Sequence, residues 1–240
     1  MNAHRNHGAD AVIFDGDDTL WHNNRYFKEA IARFCELVGT TRWTSEQVRQ
    51  RLGEVQRANC ARVGYGAKVF AQNLIECYED LVGPCPPATE TVFRNVGQQL
   101  CEHPIVLVDG AHACVTRLAR ERPVYLLTKG DRDEQRRKVE LSGLEALFDD
   151  VFIVDQKDRA QYERIIECTG ADAQRSWMIG NSITSDVTPA LAVGLNAIWV
   201  PHPDTPEWDD DTRDAEMLRA HDETRLRTAR SISEVPDLIG

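Results

Sequence analysis

The arrangement of short apolar runs is the feature of this sequence that most restricts its fold. Each of five runs is followed by turn-forming residues and then by a stretch whose apolar side chains have helical spacing. Such alternation is typical of a parallel sheet with helices on both faces. The predicted strands are residues 11–14, 124–127, 151–154, 177–179 and 197–200, and the helices between them are 131–148, 160–168 and 185–193. We therefore predict an α/β fold.

A long segment between the first two predicted strands departs from this alternation. Residues 22–107 lack the period-two pattern of strands and instead carry apolar stripes at helical spacing. This segment is predicted to be an inserted helical domain, and residues 1–21 and 108–240 together are predicted to form the α/β domain.

Charge and composition exclude several classes of function. The chain has 28 basic and 39 acidic residues and a net charge of -11, so a surface for nucleic acid or an anionic membrane is not expected. No run approaches the roughly 20 apolar residues of a membrane span, and the N-terminus lacks a signal-peptide pattern. Seven scattered cysteines without a paired motif suit a reducing compartment. We expect a cytoplasmic protein.

Polar side chains follow the predicted strands where each strand ends. The first strand leads into three carboxylates within four residues, a density that favours a bound cation. Because the carboxyl ends of parallel strands share one edge of the sheet, we expect all these groups to lie together. They are Asp15, Asp17 and Asp18 after the first strand, Thr128 and Lys129 after the second, Lys157 after the third, and Asn181 and Asp186 after the fourth.

These motifs resemble those of the haloacid dehalogenase superfamily, whose members are mostly magnesium-dependent phosphatases on a Rossmann-like sheet. The resemblance covers nearly the whole chain. Its first motif, Asp-x-Asp-x-Thr-Leu after an apolar strand, stands at residues 15–20, and its second falls on Thr128. The third falls on Lys157, with Lys138 ranked second because it lies in mid-helix. The fourth begins at Gly180, with Asn181 where the family usually has Asp.

The resemblance implies a role for each of these residues. Asp15 would attack phosphorus and form an aspartyl-phosphate, while Asp17 would protonate the leaving alcohol and later activate water. Thr128 and Lys157 would hold the phosphoryl oxygens. The Mg²⁺ ligands would come from Asp15, the main-chain carbonyl of Asp17, Asn181 and Asp186.

The inserted segment is similar to the small helical cap of one branch of the superfamily. That branch implies small phosphorylated metabolites as substrates, such as a nucleotide, flavin mononucleotide or a sugar phosphate. Candidate substrate residues beside Thr128 and Lys157 are Lys129, Trp21, His22 and Lys68. The oligomeric state is not predicted.

Three other functions remain open at this point. A phosphomutase or phosphotransferase would use the same aspartyl-phosphate but exclude water. A non-catalytic regulatory module could keep the fold, although such a module has no need of Asp15, Asp17, Thr128 and Lys157 together. A dehalogenase is the last choice, because the dehalogenases of this superfamily lack an Asp at the position of Asp17.

Overall fold

The predicted parallel sheet is present in the computed structural model, which describes residues 8–39, 42–204 and 224–239. Its strands follow the order β3-β2-β1-β4-β5-β6, and every neighbouring pair is parallel. The strands are β1 (Val12–Phe14), β2 (Val124–Lys129), β3 (Asp150–Val154), β4 (Trp177–Gly180), β5 (Asn196–Trp199) and β6 (Leu226–Thr228). The predicted α/β fold class is confirmed.

The edge strand β6 is absent from the sequence prediction, which contained five strands. It is three residues long, pairs only with β5 among the described residues, and is at least partly exposed along its whole length. A short, exposed edge strand has neither a buried apolar run nor a clear alternation, so its sequence carries little signal.

The chain divides into two units. The α/β unit contains Met1–His22 and Ile105–Gly240, and the helical unit contains Asn23–Pro104. The helices of the helical unit are α1 (Asn24–Val38), α2 (Ser45–Val63), α3 (Ala67–Leu81) and α4 (Pro87–Glu102). Those of the α/β unit are α5 (Ala111–Ala119), α6 (Arg132–Ser142), α7 (Arg159–Thr169), α8 (Thr188–Ala192) and α9 (Val235–Ile239).

Local signals explain where two helices of the helical unit begin. Thr44 caps α2 through a capping box with Gln47. Helix α4 starts with Pro87, in the first turn, where a main-chain N–H would have no acceptor within the helix. The apolar stripes of the four helices meet in one buried cluster that includes Phe34, Leu52 and Phe93. No described helix is both long enough and apolar enough to cross a membrane.

Two predicted helices of the α/β unit are interrupted. The segment 131–148 forms α6, which stops at Gly143 in a left-handed conformation, and a separate 3-10 turn, Glu145–Leu147. In place of the predicted helix 185–193, the chain forms a wide, π-helical turn, Ile183–Val187, followed by the short α8.

The central strand β1 is buried on both faces. Val12 and Phe14 pack in an apolar cluster with residues of α5, whereas Ile13 packs on the opposite face with Tyr162 of α7. This explains why β1 is continuously apolar rather than alternating. Because β1 lies between β2 and β4, the loop that follows it starts at the middle of the sheet edge.

Candidate active site

The loop after β1 is held in a tight turn. The Asp15 N–H donates to the main-chain oxygen of Ile179 on β4 (2.8 Å), and the Leu20 N–H donates to that of Gly16 (2.8 Å). A Cβ atom on Gly16 would lie 2.5 Å from the ring of Trp21, so only glycine allows this close approach. The turn therefore directs the Asp15 and Asp17 carboxylates into different surroundings.

Lys157 joins two buried carboxylates at the centre of the site. Its ammonium donates to Asp15 Oδ1 in a short hydrogen bond and to Asp186 Oδ1 at 2.7 Å. The Lys157 and Asp186 side chains are each only 1% exposed. Thr19 Oγ1 donates to Asp15 Oδ2 (2.8 Å), so both oxygens of Asp15 are engaged.

The charges in this cluster do not balance. Burial raises the pKa of Asp15 to about 6, while Lys157 acts in the opposite direction and Asp186 adds to the increase. Burial lowers the pKa of Lys157, but its two carboxylate neighbours outweigh burial and raise it overall. Two carboxylates around one ammonium leave a net negative charge, which a second cation would neutralise.

Asp17 lies in a separate network on the same loop. Lys138 Nζ contacts Asp17 Oδ1 (2.9 Å) and Oδ2 (2.8 Å), Gln135 Nε2 donates to Oδ2 (3.0 Å), and Trp21 Nε1 donates to Oδ1 (2.7 Å). Burial raises the pKa of this carboxyl, but Lys138 and the other donors outweigh burial and lower it overall. Asp17 is thus held in place as a carboxylate.

Lys138 is a second lysine at this site. The sequence ranks it behind Lys157 because it lies in mid-helix, and α6 turns it toward the sheet edge, where its side chain is 3% exposed. Lys157 contacts Asp15 and Lys138 contacts Asp17, so the structure brings both lysines to the loop.

Three polar atoms of this loop and of the loop after β4 converge in a way that suits a small cation. The Asn181 amide atom facing the β1 loop lies 3.3 Å from Asp15 Oδ2 and 3.3 Å from the Asp17 main-chain oxygen. With the amide nitrogen on this side, Asn181 donates to both oxygens; with the amide oxygen on this side, three oxygens lie next to one another. Carboxylate, main-chain and amide oxygens are the ligand types that Mg²⁺ takes in proteins. The donor set therefore fits a hard divalent cation.

Asp186 is positioned by the wide turn after β4. Its Oδ2 atom accepts the Ser182 N–H (3.0 Å), and Tyr162 of α7 donates its hydroxyl to the Ser185 main-chain oxygen (3.1 Å). A Cβ atom on Gly180 would collide with the Asp186 carboxyl group. The Gly at the end of β4 is thus required for Asp186 to approach the sheet edge.

Thr128 and Lys129 end β2 beside these groups. The buried Thr128 hydroxyl donates to Gln135 Oε1 (2.9 Å), and Gln135 in turn contacts Asp17. Lys129 Nζ donates to Ser185 Oγ (2.7 Å), which places it against the β4 loop. Hydrogen bonds therefore connect the end of β2 to the loop after β1, through Gln135, and to the turn after β4.

The remaining candidate substrate residues occupy three different positions. Trp21 is fully buried and its only polar side-chain atom donates to Asp17, which makes it a support for Asp17 rather than an open substrate surface. His22 Nδ1 lies 3.3 Å from His202 Nε2. Lys68 is exposed near the start of α3 in the helical unit, and its specificity role stays a prediction.

Sequence reasoning missed Gln135, the support role of Lys138 and the pairing of His22 with His202. Gln135 and Lys138 lie three residues apart on α6, the spacing that puts two side chains on one helical face. That spacing was visible, but nothing in the sequence linked this face to Asp17.

Comparisons with known proteins show which family the chain belongs to. Residues 9–194 match the model of the haloacid dehalogenase-like hydrolase family. A solved haloacid dehalogenase-like family hydrolase from Xanthomonas campestris is 32% identical with a TM-score of 0.81, covering 97% of this chain and 91% of that one.

Two curated enzymes match a shorter part of the chain. N-acylneuraminate-9-phosphatase from Mus musculus is 30% identical over 102 residues, 40% of this chain and 41% of that protein. Pyrimidine 5'-nucleotidase PynA from Streptococcus pneumoniae is 32% identical over 103 residues, 40% of this chain and 44% of that protein. The matched segments span less than half of these relatives. The family match, however, extends over most of this chain, which therefore belongs to the haloacid dehalogenase-like hydrolase family.

Proposed function

We propose that this protein is a Mg²⁺-dependent phosphatase that hydrolyses a phosphate monoester of a small metabolite. The observation that carries the proposal is the separate support of two carboxylates on one loop: Asp15 contacts Lys157, and Asp17 contacts Lys138, Gln135 and Trp21. A nucleophile and a proton carrier need such distinct surroundings. A displacement of halide has no alkoxide to protonate and no use for Asp17.

In the first step an Asp15 carboxylate oxygen forms a bond to phosphorus. The bond between phosphorus and the ester oxygen breaks, and the leaving oxygen takes a proton from Asp17. In the second step the Asp17 carboxylate takes a proton from water, whose oxygen attacks phosphorus and releases Asp15 and inorganic phosphate. The contacts of Asp17 favour its ionised form, which is the form that the second step needs. The first step draws on the protonated form, which the proton taken from water in the second step restores.

Residues around Asp15 would bind the charged group. Lys157 and the Thr128 hydroxyl are proposed to hold the phosphoryl oxygens. Mg²⁺ would be held by Asp15, the Asp17 main-chain oxygen and Asn181, since the Asn181 amide lies 3.3 Å from each of the other two oxygens. Asp186 would act on the ion mainly through Lys157, which it contacts directly. When bound, Mg²⁺ supplies positive charge that offsets the charge of the phosphoryl group and of Asp15.

The names of two relatives support a small phosphorylated substrate, since one is a phosphatase and the other a nucleotidase. A phosphotransferase would share the same intermediate. We propose that the substrate is a small soluble phosphate ester.

The test is release of inorganic phosphate from a panel of sugar phosphates, nucleoside monophosphates and p-nitrophenyl phosphate, with Mg²⁺ or with chelator. We expect Mg²⁺-dependent release that is lost in Asp15→Asn. Asp237→Asn makes the same chemical change at an exposed residue of α9 and should keep full activity. Release that needs no divalent ion, or that survives in Asp15→Asn, would overturn the proposal.

A second measurement separates the two carboxylates. Because p-nitrophenolate leaves without protonation, Asp17→Asn should still form the aspartyl-phosphate but hydrolyse it slowly. We expect a burst of p-nitrophenolate, of the order of one per active site, followed by slow turnover. Transfer of the phosphoryl group to an added alcohol in place of water would indicate a phosphotransferase, and halide release from a 2-haloacid would indicate a dehalogenase.

A further inference from the structure

Three side chains of metal-binding type meet in the α/β unit outside the proposed Mg²⁺ ligands. They are Asp18, His22 and His202, and one possible ligand atom from each lies within 4.8 Å of the other two. We propose that these residues form a second metal site, which binds a divalent transition metal such as Zn²⁺. The proposal does not depend on the reaction at Asp15.

The backbone brings two of these ligands together within one turn. Asp18 has a φ of 61°, a left-handed conformation that is uncommon for a residue other than glycine. Its N–H donates to the Trp21 main-chain oxygen (2.7 Å), and the next residue, His22, donates its N–H to the Val106 oxygen (2.9 Å). The positions of Asp18 and His22 are thus set before any ion binds.

The third ligand comes from the segment after β5. His202 Nε2 lies 3.3 Å from His22 Nδ1, and His202 Nδ1 lies 3.7 Å from Asp18 Oδ1. Two nitrogens bound tetrahedrally to Zn²⁺ at 2.0–2.1 Å are about 3.4 Å apart, close to the 3.3 Å between His22 Nδ1 and His202 Nε2. An imidazole binds an ion through one nitrogen, so with Nε2 on the ion His202 Nδ1 would carry the ring proton and lose the Asp204 N–H that it accepts at 3.1 Å.

The chemistry of the three ligands differs from that of the Asp15 site. Two imidazoles and one carboxylate suit Zn²⁺, Co²⁺ or Ni²⁺, whereas carboxylate and carbonyl oxygens suit Mg²⁺. The Asp18 side chain is 1% exposed and that of His202 is 7% exposed. Both side chains are therefore largely shielded from water, which strengthens the attraction between a carboxylate and a cation.

Occupation of this site would affect the loop that carries Asp17. Asp18 follows Asp17 directly, so an ion shared with His202 would tie this loop to the segment after β5. Three protein ligands also leave coordination positions open to water or to an anionic group of a ligand.

The experiment titrates the tag-free full chain with Co²⁺ in the presence of excess Mg²⁺ and follows ligand-field absorption in the visible. We expect a single saturating equivalent that Mg²⁺ does not displace and Zn²⁺ does. His22→Ala and His202→Ala should each weaken Co²⁺ binding by about 100-fold or more, since even loss of a group behind a ligand costs 10–100-fold. Circular dichroism establishes that both variants are folded.

Three control variants distinguish this site from other places where Co²⁺ could bind. Asp15→Asn, which disables the proposed phosphatase, should bind Co²⁺ unchanged. The exposed His112→Ala and the double variant His4→Ala/His7→Ala should also bind normally. X-ray absorption of the Zn²⁺-loaded wild type should show two imidazole ligands, a result that needs no variant.

Several outcomes would overturn the proposal. Binding that persists in both His22→Ala and His202→Ala, or that follows Asp15→Asn or His4→Ala/His7→Ala, would assign the ion elsewhere. Absence of a saturable band in the wild type, or a Zn²⁺ spectrum without imidazole, would leave Asp18, His22 and His202 as a hydrogen-bonded cluster only.

Discussion

The interiors of the two units differ in the charge that they contain. Among the described residues, the helical unit buries asparagines such as Asn59 and Asn73 and the ring of His103, but no Asp, Glu, Lys or Arg. The α/β unit buries six side chains of charged type, namely Asp15, Asp18, Glu134, Lys138, Lys157 and Asp186. Most of them come from the loops at the carboxyl ends of the strands or from α6.

Burial of apolar side chains in the helical unit favours folding, whereas burial of charged side chains in the α/β unit builds the candidate site. Removing two charges from water costs several kcal/mol per ion, and their mutual attraction often only offsets that cost. An apolar cluster such as that of the helical unit carries no such cost. We therefore expect substitutions in the apolar core of the helical unit to act on stability alone, and substitutions at the sheet edge to act on both stability and activity.

The largest effect should come from Lys157→Met. It leaves the Asp15 and Asp186 carboxylates buried without their shared cation, so the metal-free protein should lose about 3–5 kcal/mol of unfolding free energy. Urea denaturation measures this loss, and Lys28→Met, at an exposed position, is the control. Adding Asp186→Asn should recover part of the loss. An unchanged unfolding free energy would show that the cluster tolerates an unpaired charge.

Leu52→Ala should give the next largest effect. Leu52 is 1% exposed in the core of the helical unit, and such a truncation costs about 3 kcal/mol. Leu37→Ala makes the same change at a side chain that is 57% exposed and should stay within about 0.5 kcal/mol of wild type. Denaturation curves with equal losses for both variants would contradict the assigned core.

Lys138→Met should act mainly on turnover. Without its ammonium, Asp17 loses the contacts at 2.8 and 2.9 Å that hold both its oxygens, and kcat should fall about 10- to 100-fold. Arg136→Met changes an exposed cation on the same helix and should leave kcat unchanged. Steady-state kinetics on the best ester from the panel tests this, and a wild-type kcat would remove Lys138 from the mechanism.

Trp21→Phe should have a smaller effect on the same step. It deletes the indole N–H that Trp21 donates to Asp17 and keeps a buried ring, so we expect a loss in kcat of about tenfold or less. Trp43→Phe deletes a comparable donor, to the Leu81 main-chain oxygen in the helical unit. If both variants lower kcat equally, the Trp21 contact has no special connection with Asp17.

Arg94→Ala should have the smallest effect. Arg94 pairs with Glu90 at 2.6 Å, but its side chain is 60% exposed, and i,i+4 pairs on a helix surface contribute about 0.3–0.5 kcal/mol. A double-mutant cycle with Glu90→Ala at low and high salt measures the coupling. A coupling as large as the Lys157 effect would remove the distinction between exposed and buried charge.

The sequence predicted those parts of the site that depend on strand ends. Asp15, Thr128, Lys157 and Asp186 each follow a continuous apolar run, and a parallel sheet necessarily gathers such positions at one edge. Lys138 could not be placed in this way, because its approach depends on how α6 is rotated about its axis against the sheet. Helical spacing fixes which residues share a face but not what that face contacts.

The pairing of His22 with His202 is beyond sequence reasoning for a similar reason. The two residues are 180 positions apart, and each lies outside the strands and helices of the fold. Their meeting depends on the paths of two loops, for which hydrophobic periodicity carries no information.

The central position of β1 also has a consequence for synthesis of the chain. Asp15 leaves the ribosome early, but its hydrogen-bonded partner Lys157 follows 142 positions later, and Thr19 contacts Asn181 across 162 positions. The helical unit is continuous in sequence and its contacts can form first. Asp15 therefore lacks its lysine contact until most of the polypeptide has been translated, and a nascent chain stalled before β4, without Asn181 and Asp186, cannot assemble the site.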